Sequence, residues 1–242
     1  MLTVNHINYR YPGINSNAID NIDCSLNRGD IVGLIGLSAS GKSTFGRLLK
    51  GLIIPASGKF TLQSNDNSSV ELDSKSLIKT VGWVGSHPEL QIFASSVKEE
   101  IKYGPTNQGL KGQKLADRVN WSLQVVGFNP NEILGRFPGK LSGGEKRRVA
   151  LASVIAMKTP YYIFDDPTAG LDYAGQKCFI SILRNLRDAG YGIIWITHNV
   201  LQLQSVINRL WGLEKGKMVL DVPADNVDWE RIARVMETGK SL

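Results

Sequence analysis

The segment Gly36-Leu37-Ser38-Ala39-Ser40-Gly41-Lys42-Ser43 has the spacing G-x-x-x-x-G-K-[ST], between the apolar run Ile31–Ile35 and a helical pattern that begins near Lys42. Small residues there let the backbone curl until successive N–H groups converge on phosphate oxygens, and a following helix adds its partial positive charge. In that geometry Lys42 would sit against the β- and γ-phosphates and the Ser43 hydroxyl would reach Mg²⁺. A Gly/Ser turn before a core helix is the alternative reading, and the strand and helix on either side favour the nucleotide. Two further groups have chemical potential. Leu141-Ser142-Gly143-Gly144-Glu145, followed by Lys146-Arg147-Arg148, places a capping serine and two glycines at a helix start, an anion-binding geometry or a plain helix cap. Tyr161-Tyr162-Ile163-Phe164-Asp165-Asp166 ends a buried strand in a carboxylate pair, one partner for Mg²⁺ and one group to polarise water.

Strands and helices must hold these groups together. Leu2–Tyr9 and Ala18–Leu26 read as strands joined by the turn-rich Gly13–Asn17, and Ile31–Ile35 reads as a fully buried strand. A helix is expected from about Lys42 to Gly51, with Phe45, Leu48, Leu49 and Leu52 on one face. Gly58–Leu72 reads as a hairpin with the polar tip Ser64–Ser69, and Val81–Val84 as a short strand. From Ser96 to Lys140 the pattern turns helical, with Leu115, Val119, Leu123 and Val126 on one apolar face, and a helix follows from about Ser142 to Met157. Tyr161–Phe164, Gly192–Ile196 and Arg209–Leu213 read as strands separated by helical segments. Glu214–Lys217 is a tight turn into Met218–Asp221, and Val227–Glu237 an amphipathic helix. Such alternation predicts a mostly parallel sheet covered on both faces.

The chain has 242 residues, and 28 Lys+Arg against 22 Asp+Glu give a formal charge of +6. That length suits one large domain, or a core with a smaller subdomain. A hydrophobic content of 42% and a charged content of 21% argue against extended disorder. The longest apolar runs, Ile31–Leu37 and Val149–Met157, are too short to cross a bilayer, and the start MLTVNHINYRYPG lacks the pattern of a signal peptide. Cys24 and Cys178 are too far apart for a disulfide or zinc framework and are expected to pack as small hydrophobes, which makes a reduced, cytosolic protein the default. His6 and His87 carry no partner pattern, Trp83 reads as core, and Trp121 as core or the lining of a partner groove. The positive surplus implies an anionic partner (nucleotide, nucleic acid or membrane surface) without choosing among them.

Together and in this order, the motifs resemble those of the ATP-binding-cassette ATPases over nearly the whole chain. LSGGE looks like the family signature, Ile163-Phe164-Asp165-Asp166-Pro167 like Walker B, Ala169-Gly170-Leu171-Asp172 like the D-loop, and Ile196-Thr197-His198-Asn199 like the segment of the switch histidine. Pro88-Glu89-Leu90-Gln91-Ile92-Phe93, with Val97-Lys98-Glu99-Glu100-Ile101 and Tyr103-Gly104-Pro105 after it, is similar to the ATPases of energy-coupling-factor importers and their cobalt- and nickel-transport relatives. The resemblance implies an α/β fold, a P-loop NTPase core with a mostly parallel sheet, an antiparallel β subdomain and an inserted α-helical subdomain. It implies a single ATPase domain over 1–242. Residues 1–84 and 158–242 would be its ATP-binding core, and 85–157 its Q-loop, helical subdomain and signature helix. It implies ATP and Mg²⁺ as ligands. Tyr11 would stack on adenine, Gly36, Leu37, Ser38, Ala39, Ser40, Gly41, Lys42, Ser43 and Thr44 would hold the phosphates, and Ser43 and Asp165 the metal. Asp166, His198 and Ser86 would stand at the reacting phosphate, while Ser142, Gly143, Gly144 and Glu145 would face the ATP of a second chain. The implied partners are a second ABC ATPase, a membrane coupling subunit that docks on Pro88–Phe93, and a substrate-binding membrane subunit. The place would be the cytoplasmic face of the membrane, and nucleic acid is not implied.

Three positions depart from the family pattern. Asp166 stands where Glu is usual, which retracts the carboxylate by about 1.5 Å, the length of a C–C bond. Ser86 stands at the Q-loop glutamine, and Ala39 at a common glycine, where its methyl crowds the loop unless φ is negative. LSGGE departs only in Glu145 for Gln. The expected protein is therefore one half of an asymmetric heterodimer, with its own Walker site weakened and its signature intact. The alternatives are a working homodimer, a slow or non-hydrolytic sensor subunit, and a soluble non-transport ATPase. Residues 98–148 hold ten Lys/Arg and five Asp/Glu, so +5 of the +6 lies in the helical and signature segment.

Overall fold

Residues Ile31–Ile35 form strand β3, all five buried, inside a six-stranded sheet; this computed structural model describes residues 1–64, 66 and 68–239. In chain order the other strands are β1 (Leu2–Tyr9), β2 (Ile19–Leu26), β4 (Ser57–Gln63), β5 (Ser69–Leu72), β6 (Val81–Val84), β7 (Tyr161–Asp165), β8 (Gly192–Ile196), β9 (Arg209–Glu214) and β10 (Lys217–Pro223). The helices are α1 (Lys42–Lys50), α2 (Ser74–Thr80), α3 (Val97–Asn107), α4 (Gly112–Val125), α5 (Pro130–Ile133), α6 (Gly143–Ile155), α7 (Tyr173–Asp188) and α8 (Trp229–Thr238). The large sheet runs β10-β9-β3-β8-β7-β6, parallel except for β10 against β9. A separate antiparallel sheet runs β2-β1-β4-β5.

Side-chain alternation along the parallel strands builds two cores, because successive residues point to opposite faces. Ile31 and Ile35, Tyr162 and Phe164, Ile193 and Trp195 enter the core that α3, α4, α6 and α7 cover. Val32 and Leu34, Tyr161 and Ile163, Ile194 and Ile196 enter the other, which α1 and the antiparallel sheet fill with Phe45, Leu48, Leu49, Leu2, Val4 and Ile7. The phosphate-loop and carboxylate segments leave the same edge of this sheet, at the C-terminal ends of β3 and β7, where open α/β sheets bind ligands. Side-chain burial on both faces fixes the height of that edge, and hence of everything it carries.

Three expectations are corrected or left partial, and one helix is new. Helix α1 stops at Lys50 because Gly51 caps it in the left-handed region at φ +76°, so Leu52 turns outward and is 56% exposed. Helix α2, capped by Asp73 accepting from Ser76 N, was not expected from its polar sequence. The expected hairpin is β4–β5, but Asn65 and Asn67 in its tip lie outside the described residues. Leu115 is only partly buried, while Val119, Leu123 and Val126 are fully in the core.

Candidate functional site

A cleft of about 710 Å³ opens at the C-terminal edge of the large sheet, lined by Ser38–Thr44, Tyr11, Asp165, Asp166 and His198 among others. Its floor is the phosphate loop, whose shape glycine enforces. Gly36 has φ +151°, and a Cβ there would overlap the Leu213 carbonyl oxygen and lie 2.6 Å from Ser40 Oγ. Gly41 has φ +106° and caps α1. Lys42 is 6% exposed, and its Nζ donates to Gly36 O (2.8 Å), Leu37 O (2.9 Å) and Ser40 Oγ (3.4 Å). Burial lowers the pKa of this ammonium, against the raising effect of Asp165 and Asp166. A cation held by carbonyls at the mouth of a helix N-terminus is prepared for an anion.

Ala39 has φ +62°, so the condition that would have kept its methyl from crowding the loop is not met. The residue is exposed, and the cost falls on the backbone rather than on packing. Ala39→Gly is expected to raise the urea midpoint, a gain of about 0.5–1 kcal/mol. A lowered midpoint would mean that the methyl stabilises the loop by more than its strain.

The carboxylates stand on the next strand but one. Burial pushes the Asp165 carboxyl above its usual range, with Asp166 adding to the rise; a hydrogen bond from Ser43 and the charges of Lys42 and Arg47 act against it. Asp165 and the Ser43 hydroxyl make a pair of hard oxygens. That set suits Mg²⁺, which takes one or two protein ligands and completes its octahedron with phosphate and water. Asp166 sits in the left-handed region at φ +52°. Its N–H donates to Ile196 O (2.9 Å), and Thr197 Oγ1 lies 3.4 Å from its Oδ1, so the loops after β7 and β8 are clasped together. His198 is exposed on the cleft wall. Tyr11 Oη and Thr44 Oγ1 are hydrogen-bonded at 3.0 Å, which fixes the Tyr11 ring beside the cleft.

Ser86 is not among the residues lining this cleft; its carbonyl accepts from Arg147 Nη2 (2.9 Å). The LSGGE segment is elsewhere too. Ser142 caps α6 in a full capping box, with Glu145 N donating to Ser142 Oγ (3.2 Å), Ser142 N to Glu145 Oε2 (2.8 Å), and Arg136 pairing with Glu145 Oε1 (2.8 Å). Ser142, Gly144 and Glu145 help line a second cleft of about 290 Å³, between α6 and α7. Among the described residues the two clefts share no lining residue. A Cβ on Gly143 or Gly144 would meet nothing within 4 Å, and neither has a positive φ.

The ABC transporter family model matches residues 19–169, from the start of β2 through the carboxylate pair and the turn after it. The chain is a member of the ABC transporter family. Over 219 residues it is 36% identical to the energy-coupling factor transporter ATP-binding protein EcfA2 of Clostridium perfringens, covering 90% of this chain and 77% of that one. With EcfA2 of Streptococcus sanguinis the identity is 34% over 223 residues, 90% and 80% of the two chains. The fold is similar to that of CbiO1 from Clostridium perfringens, described as part of the ABC transporter complex CbiONQ (TM-score 0.81, 26% identity, 98% of each chain). The ATP-binding cassette MJ0796 shares the fold as well (TM-score 0.76, 23% identity, 93% and 99%). As an ABC ATPase the chain is an ATP hydrolase, and the expected α/β architecture with its separate antiparallel sheet is the one observed.

Sequence reasoning missed part of this ABC ATPase site. Ser16, Asn17, Ala18, Ile196, Lys215 and Gly216 also line the nucleotide cleft. Gly216 N donates to Ser40 O (2.9 Å) and Gly216 O accepts from Asp20 N (2.9 Å), so the β9–β10 turn braces the phosphate loop. In sequence that turn showed only a glycine after a lysine, a signal of shape and not of location. Glu100, 6% exposed, was also missed: its Oε2 accepts from Phe93 N (3.1 Å) and Ala94 N (3.0 Å) and anchors the loop before α3.

Proposed function

We propose that this chain is the ATP-binding and ATP-hydrolysing subunit of an energy-coupling-factor-type importer of a vitamin or transition metal. It would form one half of an asymmetric ATPase heterodimer on the cytoplasmic face of the membrane. One observation carries the two-chain site: the phosphate loop and the LSGGE helix start line separate clefts, and the signature glycines answer no need within their own chain. Neither packing nor backbone angle asks for glycine at 143 or 144. What glycine provides there is room for an outside group to reach the N–H groups of the first helical turn, which have no intrahelical acceptor. The similarity to EcfA2 proteins supports the importer class.

In this reading the loop 36–44 cradles the ATP phosphates, with Lys42 moving its hydrogen bonds from Gly36 and Leu37 carbonyls to phosphate oxygens. Tyr11 offers its ring to adenine. Ser43 and Asp165 would hold Mg²⁺, which when bound neutralises phosphate charge. Asp166 orients and polarises the attacking water, and His198 contacts the γ-phosphate. Ser142, Gly143, Gly144 and Glu145 serve the partner's ATP. The short Asp166 and the withdrawn Ser86 favour a slow site on this chain. Residues 85–157 act as the insert that carries both the docking surface and the signature. Leu90 (80% exposed), Phe93 (67%) and Phe137 (54%) present apolar side chains near the Phe93–Tyr103 edge contact, which suits a short membrane-subunit helix. Ile92, by contrast, packs on the core. No helix among the described residues is long and apolar enough to cross a membrane, so anchoring would come from that partner.

The deciding experiment measures ATP binding and turnover for the chain alone, with a candidate second ABC ATPase, and with that pair on a membrane coupling subunit in proteoliposomes. The expected outcome is Mg-ATP binding by the chain alone and turnover that emerges only in the mixtures. Full turnover by the chain alone would reject the heterodimer. Binding without turnover in any mixture would favour a non-hydrolytic sensor subunit, the second reading that Ser86's position supports.

A further inference from the structure

Arg147 joins three segments that the sequence keeps far apart. It lies on the second turn of α6, 7% exposed, and its guanidinium donates to Glu89 Oε2 through Nε (3.2 Å), to Ala169 O through Nη1 (2.7 Å) and to Ser86 O through Nη2 (2.9 Å). Glu89 and Ser86 belong to the loop after β6, and Ala169 to the loop after β7 that begins at Asp166. Strands β6 and β7 are neighbours in the sheet, so Arg147 ties together the two loops that leave their ends. Each nitrogen of the rigid fork is used in a different direction, an arrangement a lysine ammonium on a flexible stem cannot reproduce.

We propose that Arg147 is a positioning residue that mechanically links the loop 166–172 beside the nucleotide carboxylates to the exposed loop 85–93. Nucleotide occupancy at one loop would thereby set the position of the other. This deepens the ATPase reading above and rests on it. A shift of Ala169 either carries Arg147, and with it Ser86 and Glu89, or takes an acceptor from a guanidinium that is 7% exposed. Leaving a buried charged donor unpaired is the costlier outcome.

The test is hydrogen–deuterium exchange on the full chain with and without Mg-ATP, for the unaltered protein, Arg147→Lys, Arg147→Gln and Glu89→Gln. In the unaltered chain nucleotide is expected to slow exchange at both 85–93 and 166–172. In Arg147→Lys the slowing at 166–172 should persist and that at 85–93 should vanish. Turnover in an active mixture should fall about 100-fold in kcat with little change in KM, as for a misplacement of about 1 Å. Arg147→Gln should behave alike; if it fails to fold, the lysine variant, which keeps the charge, still decides. Glu89→Gln keeps both carbonyl bonds and should retain the response. An unchanged response at 85–93 in Arg147→Lys, or its absence in the unaltered chain, would overturn the link through Arg147. Failure of the unaltered chain to bind Mg-ATP would overturn the ATPase reading and this link together, an outcome separable from the others by the binding measurement alone.

Discussion

Lys42→Ala is expected to weaken Mg-ATP binding by this chain about 10- to 100-fold, the loss that follows from removing one hydrogen bond to a charged group. The ammonium is 6% exposed and tethered to Gly36 O and Leu37 O, with a pKa that burial depresses against the raising effect of Asp165 and Asp166. Its removal also strips two loop carbonyls of their donor. The informative comparison is with Ser142→Arg in a reconstituted complex. That variant disrupts one capping box, at a cost of about 1 kcal/mol, and fills the open space above Gly143 and Gly144. It leaves this chain's nucleotide cleft untouched, because the two clefts have no lining residue in common among the described residues. In an asymmetric pair Ser142→Arg should therefore abolish turnover, while Lys42→Ala should leave a measurable fraction from the partner's phosphate loop. Binding is read by titration of a fluorescent ATP analogue, and turnover by phosphate release. Equal abolition by both variants would reject the asymmetry.

The elements behind these expectations were legible where hydrophobic pattern and backbone demand coincide. Ile31–Ile35 reads as a buried strand with a G-x-x-x-x-G-K-S run after it, and the structure places that run at the sheet edge, where Gly36 and Gly41 adopt angles that other residues resist. Tyr161–Phe164 and Gly192–Ile196 were likewise legible as strands, whereas the division of Tyr162 and Trp195 from Ile163 and Ile194 between two cores came from the structure. What the sequence concealed is long-range pairing between loops. Nothing near Gly216 indicates that its amide reaches Ser40, and nothing near Arg147 indicates that its fork reaches Ser86, Glu89 and Ala169, from 22 to 61 residues away. Such contacts depend on where parallel strands end in space, and no local periodicity encodes that. Ser86 illustrates the same gap. Motif alignment put it at the phosphate, whereas its carbonyl faces Arg147 and its place is outside the lining of the cleft. Leu52 shows the opposite error, a residue at helical spacing that a left-handed glycine takes off the helix.

Asp166→Glu is expected to raise turnover at this chain's own phosphate loop by about 10- to 100-fold. The added methylene extends the carboxylate by about 1.5 Å, toward the space in the cleft where the γ-phosphate and attacking water would lie. Asp166 Oδ1 lies 3.4 Å from Thr197 Oγ1, and the Asp166 N–H is bonded to Ile196 O. The left-handed backbone at φ +52° complicates the exchange, since aspartate tolerates that region better than glutamate. The variant should accordingly lose about 1 kcal/mol of stability while it gains rate. That opposite movement separates a reach effect from general tightening of the fold. The rate is read in the mixture with a partner ATPase whose own phosphate-loop lysine has been replaced, so that only this chain's site can turn over, and the stability by urea unfolding. A gain in kcat with a lowered midpoint supports a site slowed by a carboxylate that is too short. If kcat stays level while the midpoint falls, carboxylate reach is not what limits this site, and the withdrawn Ser86 becomes the better explanation. Ser86→Gln would then have to restore the rate, provided that its side chain can turn into the cleft while Arg147 still holds the carbonyl of residue 86.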